Sequence, residues 1–102
     1  MAEVREVEEM LVEYKSAMPY NNNEDCKLTF RCPKDQQVII EVNKFELEHS
    51  YDCKDYLSLD GKHYCGLNVP QYVTKNSSIE IHFHSDNYTT ANGFKLYLGC
   101  RG

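Results

Sequence analysis

The chemistry-bearing residues of this 102-residue chain concentrate between Phe45 and Cys65. Glu46, Glu48, Asp52 and Asp55 crowd around Cys53 in that stretch. Carboxylates at this density form either a solvated edge or a site for a hard cation, which prefers several converging oxygens. A second group is His82 and His84, two apart in the run SIEIHFH. On a strand both imidazoles leave the same face, where they could share a metal such as zinc with Glu80 or His63 as a third ligand. A half-exposed polar sheet face explains the same pair, and no spaced Cys/His set accompanies it. Ser85-Asp86 reads as a turn, no G-x-S-x-G occurs, and no serine–histidine–aspartate arrangement is legible. The sequence therefore predicts a non-catalytic protein.

Five cysteines, Cys26, Cys32, Cys53, Cys65 and Cys100, are many for so short a chain, and none lies in a CxxC pair. They predict a disulfide framework in an oxidising compartment, with one thiol left over, single or shared with another chain. Asn76 and Asn87 each open an N-x-S/T sequon. Both features point to a secreted protein. The start Met1-Ala2-Glu3 runs straight into charged sequence and reads as that of a mature fragment. A net charge of −5 argues against a nucleic-acid binder, which needs a basic face to release counterions. It suits a cationic partner or a bound cation. No apolar run approaches the length of a membrane span, which argues against membrane insertion.

The elements that must hold these groups are mostly short strands. Leu28 and Phe30 alternate with polar neighbours between Cys26 and Cys32, and Pro33-Lys34-Asp35 turns the chain. Val38, Ile40 and Val42 share one face, and Phe45 and Leu47 continue the apolar pattern. Leu57 and Leu59 follow, then the tight-turn signal Asp60-Gly61. Ile79, Ile81 and Phe83 line another strand, Asn92-Gly93 turns again, and Phe94, Leu96 and Leu98 line the last. Such a series predicts an all-β sandwich or barrel.

Residues 1–18 differ in character. Val4, Val7, Leu11, Tyr14 and Met18 are spaced three, four, three and four apart, with acidic residues early and Lys15 late. That pattern predicts a short amphipathic N-terminal helix on residues 1–18, ahead of a β domain on residues 19–102. An edge strand over Leu11–Met18 is the alternative.

The motifs in order are C-x-L-x-F-x-C-P, V-x-I-x-V-x-x-F-x-L-E, C-x-D-Y-L-x-L, Y-C-G, I-x-I-x-F-x-S-D and G-F. Together they resemble a CUB domain, in an arthropod-like variant lacking the first family cysteine, from about Pro19 to Leu98. The resemblance implies a jelly-roll β-sandwich of two antiparallel sheets. It also implies a bridge Cys53–Cys65 and, by analogy with extra cysteines in arthropod members, a bridge Cys32–Cys100 that leaves Cys26 single; Cys26–Cys100 is the rival pairing. It further implies calcium ligands at Glu48, Asp55 and Asp86, supported by Tyr20, Asn87 and Thr89. Here Asp55 stands one residue nearer the cysteine than the family's C-x-Y-D spacing, and Asp52 is a substitute. In such members the calcium-ordered loops engage a Lys or Arg of a protein partner. The function implied is extracellular protein–protein recognition. An accessory module of a larger secreted protease and a stand-alone venom or defence protein are the alternatives.

Overall fold

The computed structural model describes residues 4–7, 11–49, 51–67, 69–87 and 90–102. Those residues form nine strands and no helix: β1 (Val4–Val7), β2 (Leu11–Lys15), β3 (Asp25–Arg31), β4 (Gln37–Glu46), β5 (Tyr56–Leu59), β6 (Lys62–Tyr64), β7 (Tyr72–Lys75), β8 (Ser78–His84) and β9 (Gly93–Arg101). One sheet has the order β1-β3-β8-β5-β6 and the other β2-β9-β4-β7. All pairings are antiparallel except β1 beside β3. The expected β-sandwich is present.

Its core follows from the period of two. On β3 Cys26, Leu28 and Phe30 face inward, on β8 Ile79, Ile81 and Phe83, and on β9 Phe94, Leu96 and Leu98; all are buried. On β4 the inward positions are Val38, Ile40 and Val42, whereas beyond it Leu47 is the buried residue. This switch from even to odd positions needs one extra residue. It is supplied by a bulge, where the register against β9 slips between Val42 and Lys44. At the β5–β6 turn Asp60 (φ 52°) and Gly61 (φ 89°) both adopt the left-handed conformation that a type I′ hairpin requires. The Pro33 turn closes with the Gln36 N–H on the Pro33 carbonyl at 3.1 Å.

The N-terminal helix is not found. Val4–Val7 instead pairs with β3, and Leu11–Lys15 is one of the two edge strands of the four-stranded sheet, in register from Leu11 opposite Gly99 to Lys15 opposite Lys95. The acidic positions Glu3, Glu8 and Glu9 lie outside the described residues. On β2 the burial alternates: Tyr14 is buried with its ring 5.6 Å from Phe94, and Val12 packs against the core. Glu13 and Lys15 face outward, and Met18, last in the expected helical stripe, is exposed. A strand edge offers a row of unsatisfied N–H and C=O groups along β9, and pairing with it outweighs helix propensity. The crossing is tight. The Ser16 hydroxyl accepts the Phe94 N–H at 3.0 Å, and a Cβ on Gly93 (φ 107°) would lie 2.3 Å from that hydroxyl. Only glycine fits there.

Two disulfides complete the frame. Cys32–Cys100 ties the end of β3 in one sheet to β9 in the other, and Cys53–Cys65 closes the segment from the β4–β5 loop to the end of β6. Cys26 is buried and keeps its thiol, which lies 3.6 Å from a Glu24 carboxylate oxygen.

Candidate metal centre at the acidic end

Asp25 of β3 stands opposite His84 of β8, which stands opposite Tyr56 of β5. The start of β3, the end of β8 and the start of β5 therefore share one end of the sandwich. Asp55 immediately precedes β5, Asp86 lies two residues past β8, Glu48 two residues past β4, and Tyr20 in the loop between β2 and β3. Strand pairing thus gathers groups far apart in the chain. One carboxylate oxygen from each of Glu48, Asp55 and Asp86 lies within 4.8 Å of the others.

Asp55 is the centre of this group and is fully buried. Its Oδ2 accepts the Tyr20 hydroxyl at 2.7 Å, and its Oδ1 accepts the Asp86 N–H at 2.9 Å. The Tyr20 hydroxyl in turn accepts the Glu48 N–H at 2.9 Å. One buried phenol on the β2–β3 loop therefore ties both ends of the β4–β5 segment, and Asp55 carries the link on to Asp86; the ring is set edge-on to Phe83 at 5.3 Å. A second set of bonds braces the flank. The Ser85 hydroxyl donates to the Asn21 carbonyl at 2.7 Å and accepts the Glu24 N–H at 2.8 Å. The Asn23 N–H reaches the Asp86 carbonyl at 2.8 Å.

The electrostatics of this end are adverse to three free carboxylates. Burial, with the Asp86 charge adding to it, pushes the Asp55 carboxyl above its ordinary value against the hydrogen bonds it accepts. Burial and then the bond to Asp55 likewise raise the Tyr20 phenol, so the hydroxyl keeps its proton and donates. Glu48 Oε1 is buried with no hydrogen-bond partner among the described residues. A buried anionic oxygen with no donor costs free energy unless a cation meets it. The donor set is all oxygen and anionic, two groups from the β4–β5 segment and one from the β8–β9 loop, which fits a hard divalent ion such as calcium.

Asp55 joins the group despite standing one residue nearer Cys53. Cys53 itself takes a left-handed φ of 49°, and the disulfide to Cys65 holds the shortened segment. Asp52 is exposed, as are the sequon residues Asn76 and Asn87, while Thr89 lies outside the described residues. The bracing set of Asn21, Glu24 and Ser85 escaped the sequence reading. Its one signal is a serine beside Asp86, which reads equally well as a turn.

The sequence profile of the CUB domain matches residues 2–98 of this chain. A cubilin homolog of Drosophila melanogaster is 30% identical over 96 residues, covering 83% of this chain and 3% of that protein. The chain thus corresponds to a small fraction of that relative. Among solved structures, the full extracellular region of zebrafish Gpr126/Adgrg6 superposes with a TM-score of 0.91 at 20% identity, over 100% of this chain and 15% of the other. The MASP-1 CUB2 domain bound to Ca2+ gives 0.80 at 21% identity, over 92% of this chain and 96% of the other. CUB domains are protein–protein interaction modules, non-catalytic in themselves, that occur in secreted and protease-associated proteins. The extent of the profile match, with the sandwich and its topology, establishes that this chain belongs to the CUB domain family.

Proposed function

We propose that this domain is a secreted, calcium-dependent protein-recognition module whose acidic end engages a Lys or Arg of its partner. The observation that carries the reading is the convergence of Glu48, Asp55 and Asp86, together with a buried Glu48 Oε1 that has no hydrogen-bond partner among the described residues. Similarity of fold to a CUB domain solved with Ca2+ supports it. Two disulfides and two exposed sequon asparagines suit an oxidising, extracellular setting.

Glu48, Asp55 and Asp86 would hold the ion, with Tyr20 fixing the Asp55 carboxylate from behind. Calcium in that position supplies charge neutralisation that orders the β4–β5 and β8–β9 loops. Glu48 and Asp86 are half-buried residues and Asp55 is wholly buried, so a partner would approach from the Glu48 and Asp86 side. A partner's ammonium or guanidinium meeting them forms a charge-assisted contact. Such a contact weakens with salt and disappears with chelator.

Calcium titration by calorimetry, with melting curves in calcium and in chelator, tests the reading. A ligand present at about 100 times its Kd stabilises by about 2.7 kcal/mol. For a domain of this size that is a rise of about 10–20 °C in melting temperature. Absence of both heat and shift would remove the calcium-dependent form of the proposal.

A further inference from the structure

The outer face of the five-stranded sheet carries polar groups that the sandwich core does not use. His82 and His84 both project from it, since Ile81 and Phe83 fill the inward positions of β8. Asp25, on the neighbouring β3, sits in register with His84 and reaches both rings. Its Oδ1 is hydrogen-bonded to His82 Nε2 and lies 3.9 Å from His84 Nδ1. One carboxylate oxygen therefore stands between nitrogens of two imidazoles.

The rings are held rather than loose. Tyr56, across β8 from Asp25, stacks on His84 at 5.3 Å and meets His82 edge-on at 5.6 Å. His63 on β6 covers the other side of Tyr56, parallel and 3.8 Å away. Alternate residues of a strand stand about 6.6 Å apart, a separation that two imidazoles can span from either side of one ion. Around a tetrahedral zinc, with donors at about 2.0–2.1 Å, neighbouring donors are roughly 3.3 Å apart. The Asp25–His84 separation is 3.9 Å, whereas the three donors do not all lie within 4.8 Å of one another and the two imidazole centroids are 6.3 Å apart, so binding an ion requires the side chains to rotate inward. The side chains of His82, His84 and Asp25 are 23%, 40% and 62% exposed, so an ion can enter and keep water in a remaining position. Lys27, register partner of His82 on β3, is a cation on the same face, with Arg31 farther along the strand, and its charge opposes a bound cation.

We infer that His82, His84 and Asp25 form a second metal site, for a borderline divalent transition ion of the zinc class. Two nitrogens and one oxygen suit zinc, and calcium, which takes oxygen ligands, is disfavoured there. The site is independent of the proposed calcium centre, because it uses none of that centre's carboxylates.

The test is a zinc chloride titration of the calcium-saturated domain, free of any polyhistidine tag, read by calorimetry and by NMR of the histidine rings. One equivalent of zinc is expected to bind and to shift or broaden the His82 and His84 ring signals. H82Q and H84Q should each weaken binding at least tenfold, and D25N several-fold. H49Q, at an exposed histidine outside this cluster, should leave the zinc affinity within twofold. Melting curves identify any variant that fails to fold, and the ring signals of the unaltered protein then decide. No heat at millimolar zinc, a ring response centred elsewhere, or zinc affinity unchanged in the H82Q/H84Q double variant would overturn the inference.

Discussion

Replacing Tyr20 by phenylalanine removes one oxygen from the middle of the acidic end and leaves the ring in its packing against Phe83. That oxygen makes two bonds, donating to Asp55 Oδ2 at 2.7 Å and accepting the Glu48 N–H at 2.9 Å. A hydrogen bond to a charged group contributes about 1.5–3 kcal/mol, and an N–H stripped of its partner costs about 1 kcal/mol or more when buried. The Glu48 N–H is only half-buried and the two bonds share an atom, so the expected loss is about 2–4 kcal/mol rather than the full sum. In a domain of this length that is a fall of about 10–25 °C in melting temperature. Urea denaturation in chelator is the assay, with the midpoint moving and the slope unchanged. Y51F, at a fully exposed tyrosine, is the control and should do nothing measurable. Calcium should bind Y20F more weakly, since Asp55 loses the donor that orients it. A loss below about 0.5 kcal/mol would refute the idea that this phenol joins the β2–β3 loop to the β4–β5 segment energetically.

The two disulfides should differ in weight. Cys32 and Cys100 are 68 positions apart and Cys53 and Cys65 only 12, so chain-entropy reasoning gives about 4 kcal/mol for the first and about 3 kcal/mol for the second. Paired alanine variants in denaturant check this order, and the reverse order would show that local loop geometry outweighs chain entropy. Burial raises the Asp55 carboxyl, so without calcium its contribution is largest below about pH 4 and is lost as pH rises through the folded-state value. The stability difference between the unaltered protein and D55N in chelator should therefore fall with rising pH; a flat difference contradicts it. Cys26 is wholly buried, so maleimide should label it only after denaturant is added. Labelling of the native protein at the rate of a model thiol would contradict that burial.

Much of the sandwich is legible in the sequence because its strands obey a period of two and its turns carry strong local signals. Asp60-Gly61 and Pro33-Lys34-Asp35 both turn where they stand. The N-terminal segment misleads for a physical reason. Its alternation Val12, Tyr14, Ser16 is broken by a buried serine, which is satisfied by the Phe94 N–H rather than by apolar packing. With that inward position disguised, the helical spacing of the apolar residues is the stronger pattern. The acidic end is half legible. Glu48 and Asp55 crowd one stretch, but Asp86 is 31 positions beyond Asp55, and only the motif order suggests that they meet. Tyr20 is visible by the same route. Asp25 beside His82 is a product of strand register across 57 positions, and nothing in its neighbourhood announces it.

The Cys32–Cys100 bond also governs how the domain responds to pulling. Tension applied between the first and last residues runs through that covalent shortcut, so the 67 residues between the two cysteines carry none of it. Only the 31 residues before Cys32 and the two after Cys100 can be drawn out. The extensible length is then roughly 120 Å, against about 350 Å for the open chain. The strands that yield are β1, β2 and β3, with β2 peeling from β9 pair by pair. The segment from β4 to β8 stays outside the load path, and with it Glu48, Asp55 and Asp86. Tyr20, on the loaded segment, is the first of the acidic-end groups to be pulled away. A stretched domain would therefore lose the support behind Asp55 while the three carboxylates themselves stay within the unstressed loop.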